Sequence, residues 1–334
     1  MSENIHDKAR LRELQALPLE RKILITQTRI IEWYTRYEGK VYVSFSGGKD
    51  STVLLTIARQ CFPDIEAVFV DTGLEYPEIR QFVKTFDNVT IIRPKMRFDE
   101  VIKKYGYPLI SKEVSKKIQE YRSKPDGYTN LVFNPHSEKI KRYGSRYDLS
   151  KWIPLRDSDI PVSDKCCNVM KKSPAKSFEK ESGKKCIVAT LAEESNLRQS
   201  DWLMHGCNAF DAKRPMSKPM SFWTEQDVLE FIYRYGIKLA PPYGEITLTE
   251  NGTYKTTGCD RTGCIFCAFG CHRDANPSRF QRLKETHPRQ YEYCINGGEY
   301  NENGMWSPNK EGFGLGYVFD ELNSLYGDDF IKYK

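Results

Sequence analysis

Val41-Tyr-Val-Ser-Phe-Ser-Gly-Gly-Lys-Asp-Ser-Thr-Val-Leu-Leu55 is the stretch on which the fold turns. Val41 to Phe45 alternate and are largely β-branched or aromatic, the pattern of a short buried strand. Ser46 to Ser51 then turn sharply, and Thr52 to Cys61 carry a helical apolar pattern. Gly47 and Gly48 let the backbone take positive φ and approach a ligand with no Cβ in the way. The N–H groups of Ser46 to Ser51 would then converge on an anion at the start of the helix. There the helix dipole and the unpaired donors both favour negative charge. The spacing is not GxxxxGK[ST], so this phosphate cradle is not a Walker A loop.

Working outward, residues 66–70 read as a second buried strand that ends in Asp71-Thr72-Gly73-Leu74-Glu75-Tyr76-Pro77-Glu78. A helix over 77–86 follows, with Pro77 in its first turn, and then a strand over 89–93. Strand–helix–strand–helix–strand in so short a span implies right-handed crossovers and a parallel sheet covered on both faces. Ligands of such α/β sheets bind past the carboxyl ends of the strands, which is where the Gly47 and Asp71 loops would lie. A further strand over 185–190 ends in Leu191-Ala192-Glu193-Glu194-Ser195-Asn196-Leu197-Arg198. Before the first strand, residues 19–37 place Ile23, Ile30, Trp33, Tyr34 and Tyr37 on one face of a helix. Farther on, residues 98–124 are helical with an interruption at Tyr107-Pro108, and Ser111 caps the second part. Thr224 and Asp227 form a capping-box variant for a helix that Gly236 ends. The expected plan is a helical segment at 1–37, a nucleotide-binding α/β domain at 38–240 with an irregular insertion at about 123–150, and a Cys-rich region at 241–334.

The chain of 334 residues has ordinary globular composition, a formal charge of +6 and no apolar run of membrane-spanning length. Its start lacks a signal-peptide pattern, so a cytoplasmic protein with no membrane partner is expected. Residues 101–150 hold eleven Lys/Arg against five Asp/Glu, enough to account for a net +6. Such a segment suits a solvated helix face, or a contact with nucleic acid or an anionic substrate.

Ten cysteines in a reducing compartment do not suggest a disulfide framework. Six of them cluster, as Cys166-Cys167 and as Cys259, Cys264, Cys267 and Cys271. Cys264-x2-Cys267 is a metal-binding spacing, and thiolates select zinc or iron–sulfur clusters over hard cations. Two ligand sets are open. One is local, Cys259, Cys264, Cys267 and Cys271; the other is split, Cys166 and Cys167 with Cys264 and Cys267.

Ser46-Gly47-Gly48-Lys49-Asp50-Ser51 after a strand resembles the PP-loop of the ATP pyrophosphatase superfamily. Asp71-Thr72-Gly73 with Pro77-Glu78 resembles the strand-end segment of its phosphoadenosine phosphosulfate (PAPS) reductase branch. Cys166-Cys167, with Lys172 and Pro174 after it and Cys-x-x-Cys far downstream, resembles the [4Fe–4S] site of assimilatory adenylylsulfate reductases. The resemblance implies a parallel-sheet PP-loop α/β domain with a Cys-rich C-terminal extension. It implies that Ser46 to Ser51 bind the pyrophosphate part of ATP or a related adenine nucleotide, with Asp71, Thr72 and Gly73 beside the adenosine. Asp50 and Asp71 would help place Mg²⁺, and Lys49 and Arg198 would neutralise charge as the α-phosphorus is attacked. It favours the split cysteine set and a [4Fe–4S] cluster over zinc, and an enzyme of sulfur transfer or reduction that works with a sulfur or electron donor protein.

Two departures bear on substrate. Many relatives carry Gly-x-Arg before the Glu-Ser pair at the 185–190 strand end, where this chain has Leu191 and Glu193. The reductases also carry Glu-Cys-Gly-Leu-His, whose Cys attacks the nucleotide sulfur, and no such motif occurs here. A sulfonucleotide reductase proper would have to use Cys294 or Cys271. Thiolation of tRNA or DNA through the basic 101–150 segment, and a non-enzymatic nucleotide-binding module with structural zinc, are the other expectations.

Overall fold

A six-stranded sheet carries the glycine turn. The computed structural model describes residues 6–334. The strands are β1 (Val41–Ser44), β2 (Ala67–Val70), β3 (Val89–Ile92), β4 (Lys185–Val188), β5 (Asn208–Ala209) and β6 (Met216–Ser217). Their spatial order is β3-β2-β1-β4-β6-β5. All neighbours are parallel except β5, which runs antiparallel to β6 at the edge. Val43 of β1 lies opposite Ala67 on one side and Ile187 on the other, so β1 is a central strand. From β1 the chain steps outward to β2 and β3 and then returns to the opposite side with β4. The strand order therefore reverses between β1 and β4, the position at which open α/β sheets bind ligands.

The core explains these elements. Val41, Val43, Phe45, Val53, Leu54, Ile57, Phe69 and Ile187 are all buried in one cluster. Each such side chain contributes roughly 1.5–3 kcal/mol by leaving water. The helix after β1 spans Lys49–Cys61, starting earlier than its apolar pattern shows, which places Lys49 and Asp50 in its first turn. An acidic Asp50 there complements the dipole. The helix Leu19–Arg36 buries Ile23, Ile30 and Trp33 as expected, and also Lys22. The Lys22 ammonium donates to both carboxylate oxygens of Asp227, at 2.7 and 2.6 Å, and to the Gln15 carbonyl at 2.7 Å. Asp227 meanwhile accepts from the Thr224 N–H at 2.6 Å, completing the capping box of the helix Glu225–Tyr235.

Contacts divide the chain into two interleaved units, Met1–Arg93 with Pro174–Gly263, and Pro94–Ser173 with Cys264–Lys334. The sheet belongs wholly to the first. In the second, helices Phe98–Tyr105 and Lys112–Ser123 flank the expected break, and Ser111 Oγ accepts from the Val114 N–H at 3.1 Å. Residues of the break are used for pairing. Tyr107 bridges to Val162 and Ile110 to Phe269, and the Tyr107 hydroxyl donates to the Phe313 carbonyl at 2.7 Å. Residues 123–150 are a run of short turns and brief helices. The C-terminal helices, Arg279–Thr286, Pro288–Ile295 and Leu315–Tyr326, complete this unit. Among the described residues no helix is long and apolar enough to cross a membrane.

Candidate functional site

The glycine turn is closed by its own side chains. Gly47 has φ +72°, and a Cβ there would lie 2.9 Å from the γ-methyls of Ile79 and Val83. Both its conformation and its packing therefore require glycine. The Ser46 N–H donates to Ser51 Oγ at 3.2 Å, and Ser51 Oγ donates to the Gly48 carbonyl at 2.9 Å. Gly48 is the N-cap of the helix and supplies no side-chain acceptor. The first-turn amides of Asp50 and Ser51 thus have no partner within the helix, as at any helix start. The Lys49 N–H donates to the Tyr243 hydroxyl at 3.2 Å, and that hydroxyl lies 2.7 Å from Thr262 Oγ1.

Three groups of charges surround this loop in the first unit. Lys49, only 3% exposed, places its ammonium 2.9 Å from the Asp260 carbonyl and 3.0 Å from Glu225. Glu194, just past β4, pairs with Arg198 and, at 3.3 Å, with Arg261. Burial and the neighbouring Arg261 charge push the Arg198 guanidinium below its ordinary value, while Asp50 pulls it back up. Asp50 thus lies within electrostatic reach of Arg198. At the end of β2, Asp71 is buried and holds Arg80 at 2.8 Å and Arg93 at 3.4 Å. Burial alone would raise the Asp71 carboxyl. The Arg80 bond and charge, the Gly73 N–H and Arg93 outweigh it and hold the group below the usual carboxylate range. Thr72 Oγ1 and N–H both bind Glu75, at 2.7 and 3.1 Å, so Asp71 to Glu75 form a closed turn. Gly73 has φ +75°, and a Cβ added to it would meet nothing within 4 Å, so its conformation alone asks for glycine there.

The second unit holds Cys166, Cys167, Cys264 and Cys267, while Cys259 lies in the first. Burial raises the Cys166 thiol most, and Cys167, Cys264 and Cys267 each raise it further. Cys166 thus lies within electrostatic reach of three further thiols, the ligand type that soft metals select. Among the described residues no three His, Cys, Asp or Glu side chains are drawn together tightly enough for a single metal ion. Cys167 caps a π-helical turn, Asn168–Lys172, and the Cys267 N–H donates to the Cys264 carbonyl at 3.1 Å. Arg279 fixes this loop. Its Nη1 donates to the carbonyls of Cys267 and Phe269, at 3.1 and 3.0 Å, and its other nitrogens bind Asp274 at 2.7 Å. Cys271 donates to the Ala268 carbonyl at 3.1 Å, and burial pushes its thiol up to about 12. Cys294 is fully buried and its thiol is pushed well up for the same reason. A thiol so held is a poor nucleophile at neutral pH.

Sequence reasoning missed Tyr243, Glu225, Asp260, Arg261, Thr262 and Arg279. Asn251-Gly252, between Ile246–Leu248 and Tyr254–Thr256, is a hairpin signal that would have located the segment carrying most of them. Nothing local marks their partners.

The family model of the phosphoadenosine phosphosulfate reductase domain matches residues 40–269. An uncharacterised protein of Methanocaldococcus jannaschii is 33% identical over 154 residues, covering 44% of this chain and 34% of the relative. The chain thus spans about a third of that relative's length. The adenosine 5'-phosphosulfate reductase of Staphylococcus epidermidis is 23% identical over 263 residues, 77% of this chain and 82% of its own. Sulfate adenylyltransferase subunit 2 of Aeromonas hydrophila is 25% identical over 254 residues, 71% of this chain and 69% of its own.

Proposed function

Because the chain belongs to the phosphoadenosine phosphosulfate reductase domain family, within the PP-loop superfamily, we propose that it binds ATP or a related adenine nucleotide and carries out sulfur transfer or reduction. The observation that carries this reading is the Gly47 turn at the head of the Lys49–Cys61 helix, beside the point where the strand order reverses. Its amides and the helix dipole would take the polyphosphate. Arg198 and Lys49 would supply the remaining positive charge, Lys49 by exchanging its Glu225 partner for a phosphate oxygen. With ATP, a nucleophile bonds to the α-phosphorus and the electron pair of the broken P–O bond leaves with pyrophosphate. Fixed donors and charges around that centre account for most of the acceleration. Mg²⁺ would be placed by Asp50 together with Asp71, the latter giving up an arginine partner.

Cys166, Cys167, Cys264 and Cys267 fit a [4Fe–4S] cluster as an all-thiolate set, with zinc the lesser alternative. Such a cluster would supply redox or sulfur-holding chemistry, served by a sulfur or electron donor protein. Cys294 and Cys271 serve poorly as the nucleophile of a sulfonucleotide reductase, because burial keeps both protonated. Titration calorimetry with Mg²⁺-ATP and with adenosine 5'-phosphosulfate tests the reading, and no heat from either ligand sinks it.

One observation favours a nucleic acid as sulfur acceptor. Tyr128 and Tyr143 are 67% and 50% exposed, with Lys139 4.4 Å from the ring centre of the first and Arg142 beside the second. Exposed rings among basic side chains suit the stacking of unpaired tRNA or DNA bases. Loss of anisotropy change with a labelled single-stranded RNA on Tyr128→Ala/Tyr143→Ala would bear this out; equal binding would remove it.

A further inference from the structure

Two guanidiniums share one carboxylate beside the phosphate cradle, and one of them comes from a distant part of the chain. Glu194 closes the turn Ala192–Glu194 that follows β4, and Arg198 lies in the first turn of the next helix, Asn196–His205. Arg261 arrives from the segment after the 246–256 hairpin, and its neighbours dock that segment on the cradle. The Asp260 carbonyl accepts from the Lys49 ammonium at 2.9 Å, and Thr262 Oγ1 lies 2.7 Å from the hydroxyl that accepts the Lys49 N–H. The backbone holds the segment in place as well, since Gly258 N–H donates to the Tyr243 carbonyl at 2.9 Å and Cys259 N–H to the Pro242 carbonyl at 2.8 Å.

We propose that Arg261, aimed by Glu194 and working with Arg198, is a specificity-determining residue that grips the tetrahedral oxyanion of the bound adenylate, phosphoryl or sulfo. A guanidinium has five N–H donors in a planar fork. Arg261 spends one edge on Glu194 and its side chain is 63% exposed, so the rest of the fork faces solvent. Arg198 is likewise 43% exposed while bound to the same carboxylate. Arg198 and Arg261 share the single carboxylate of Glu194, with Asp50 near Arg198, so a bound anion would compete with these carboxylates for the exposed edges of both guanidiniums. Arg80 and Arg93 serve Asp71 instead and leave this role to Arg198 and Arg261.

The inference rests on the cradle being a nucleotide site, and the experiment separates the two. Wild type, Arg261→Ala and Arg261→Lys are titrated with Mg²⁺-ATP, adenosine 5'-phosphosulfate and adenosine, with thermal melts as a folding control. Arg261→Ala is expected to weaken the anionic ligands on the order of 10- to 100-fold, the worth of one charge-assisted contact. Adenosine affinity stays unchanged, and Arg261→Lys recovers part of the loss because it restores charge without the fork. Equal affinity of wild type and Arg261→Ala for the anionic ligands overturns the inference alone, as does an equal loss for adenosine. Failure of the wild type to bind either anionic ligand overturns the nucleotide reading and this inference with it.

Discussion

In the cradle, six consecutive residues supply the turn, the amides and the helix start, and the Ser51 hydroxyl, bound to the Ser46 N–H and the Gly48 carbonyl, closes it. In the proposed cysteine site, four thiols would come from Cys166-Cys167 and from Cys264 and Cys267, and Arg279 binds the Cys267 carbonyl. The first is a backbone device, indifferent to most side chains except where a Cβ would intrude. The second is a side-chain device whose parts have no use until the fold has joined them. A local site is broken by changing its shape, whereas an assembled one is broken by removing any one member.

The largest expected effect is at the assembled site. If the proposed [4Fe–4S] cluster is held there, anaerobically purified wild type contains iron and acid-labile sulfide, and Cys166→Ser or Cys267→Ser should take both to near none, with loss of visible absorption. Nucleotide affinity should remain, because the cradle draws on none of these residues. Gly47→Ala tests the other half of the contrast. Positive φ and the contact with Ile79 and Val83 should together cost about 2–4 kcal/mol in denaturant melts and abolish ATP binding. Arg279→Ala leaves all four thiols in place but frees two carbonyls and strands Asp274. A loss of about 2 kcal/mol and slower iron uptake during reconstitution are expected, and unchanged uptake would show that the loop holds itself.

Gly73→Ala should cost only about 1 kcal/mol, since its added Cβ meets nothing and the backbone conformation is the sole penalty. A loss as large as that of Gly47→Ala would erase the distinction between conformation and packing. The smallest effect concerns Asp320, which secures the C-terminal end of the second unit through Lys334 at 2.8 Å and Tyr333 at 2.7 Å. Burial pulls its pKa up, but these partners prevail and hold it below the ordinary value. Its contribution is therefore present above the unfolded carboxylate pKa and is lost as pH falls through the folded one. Stability of wild type and Asp320→Asn should differ by less than about 1 kcal/mol at pH 7, because the pair is exposed, and should begin to converge as pH falls below about 4.

The parallel sheet was legible because its strands are short apolar runs bounded by turn residues, and Ser111, Thr224 and Gly236 marked helix ends by chemistry confined to one turn. The Cys-x-x-Cys spacing suggested a thiolate site but left open which cysteines would join it. The break at Tyr107-Pro108 was visible, yet its use in pairing with Val162 and Phe269 was not. The buried Lys22 was hidden inside an otherwise ordinary amphipathic pattern, because its partner Asp227 lies 205 residues away.

By itself, then, the sequence determined the strand–Gly-Gly–helix unit, since positive φ, dipole and amide direction are properties of adjacent residues. Only the tertiary structure decided that Tyr243 and Asp260 reach the Lys49 backbone and side chain, that Arg261 meets Glu194, and that Cys264 and Cys267 come within electrostatic reach of Cys166. The physical reason is that such partnerships depend on where packing carries each segment, and no local preference of the chain encodes that position.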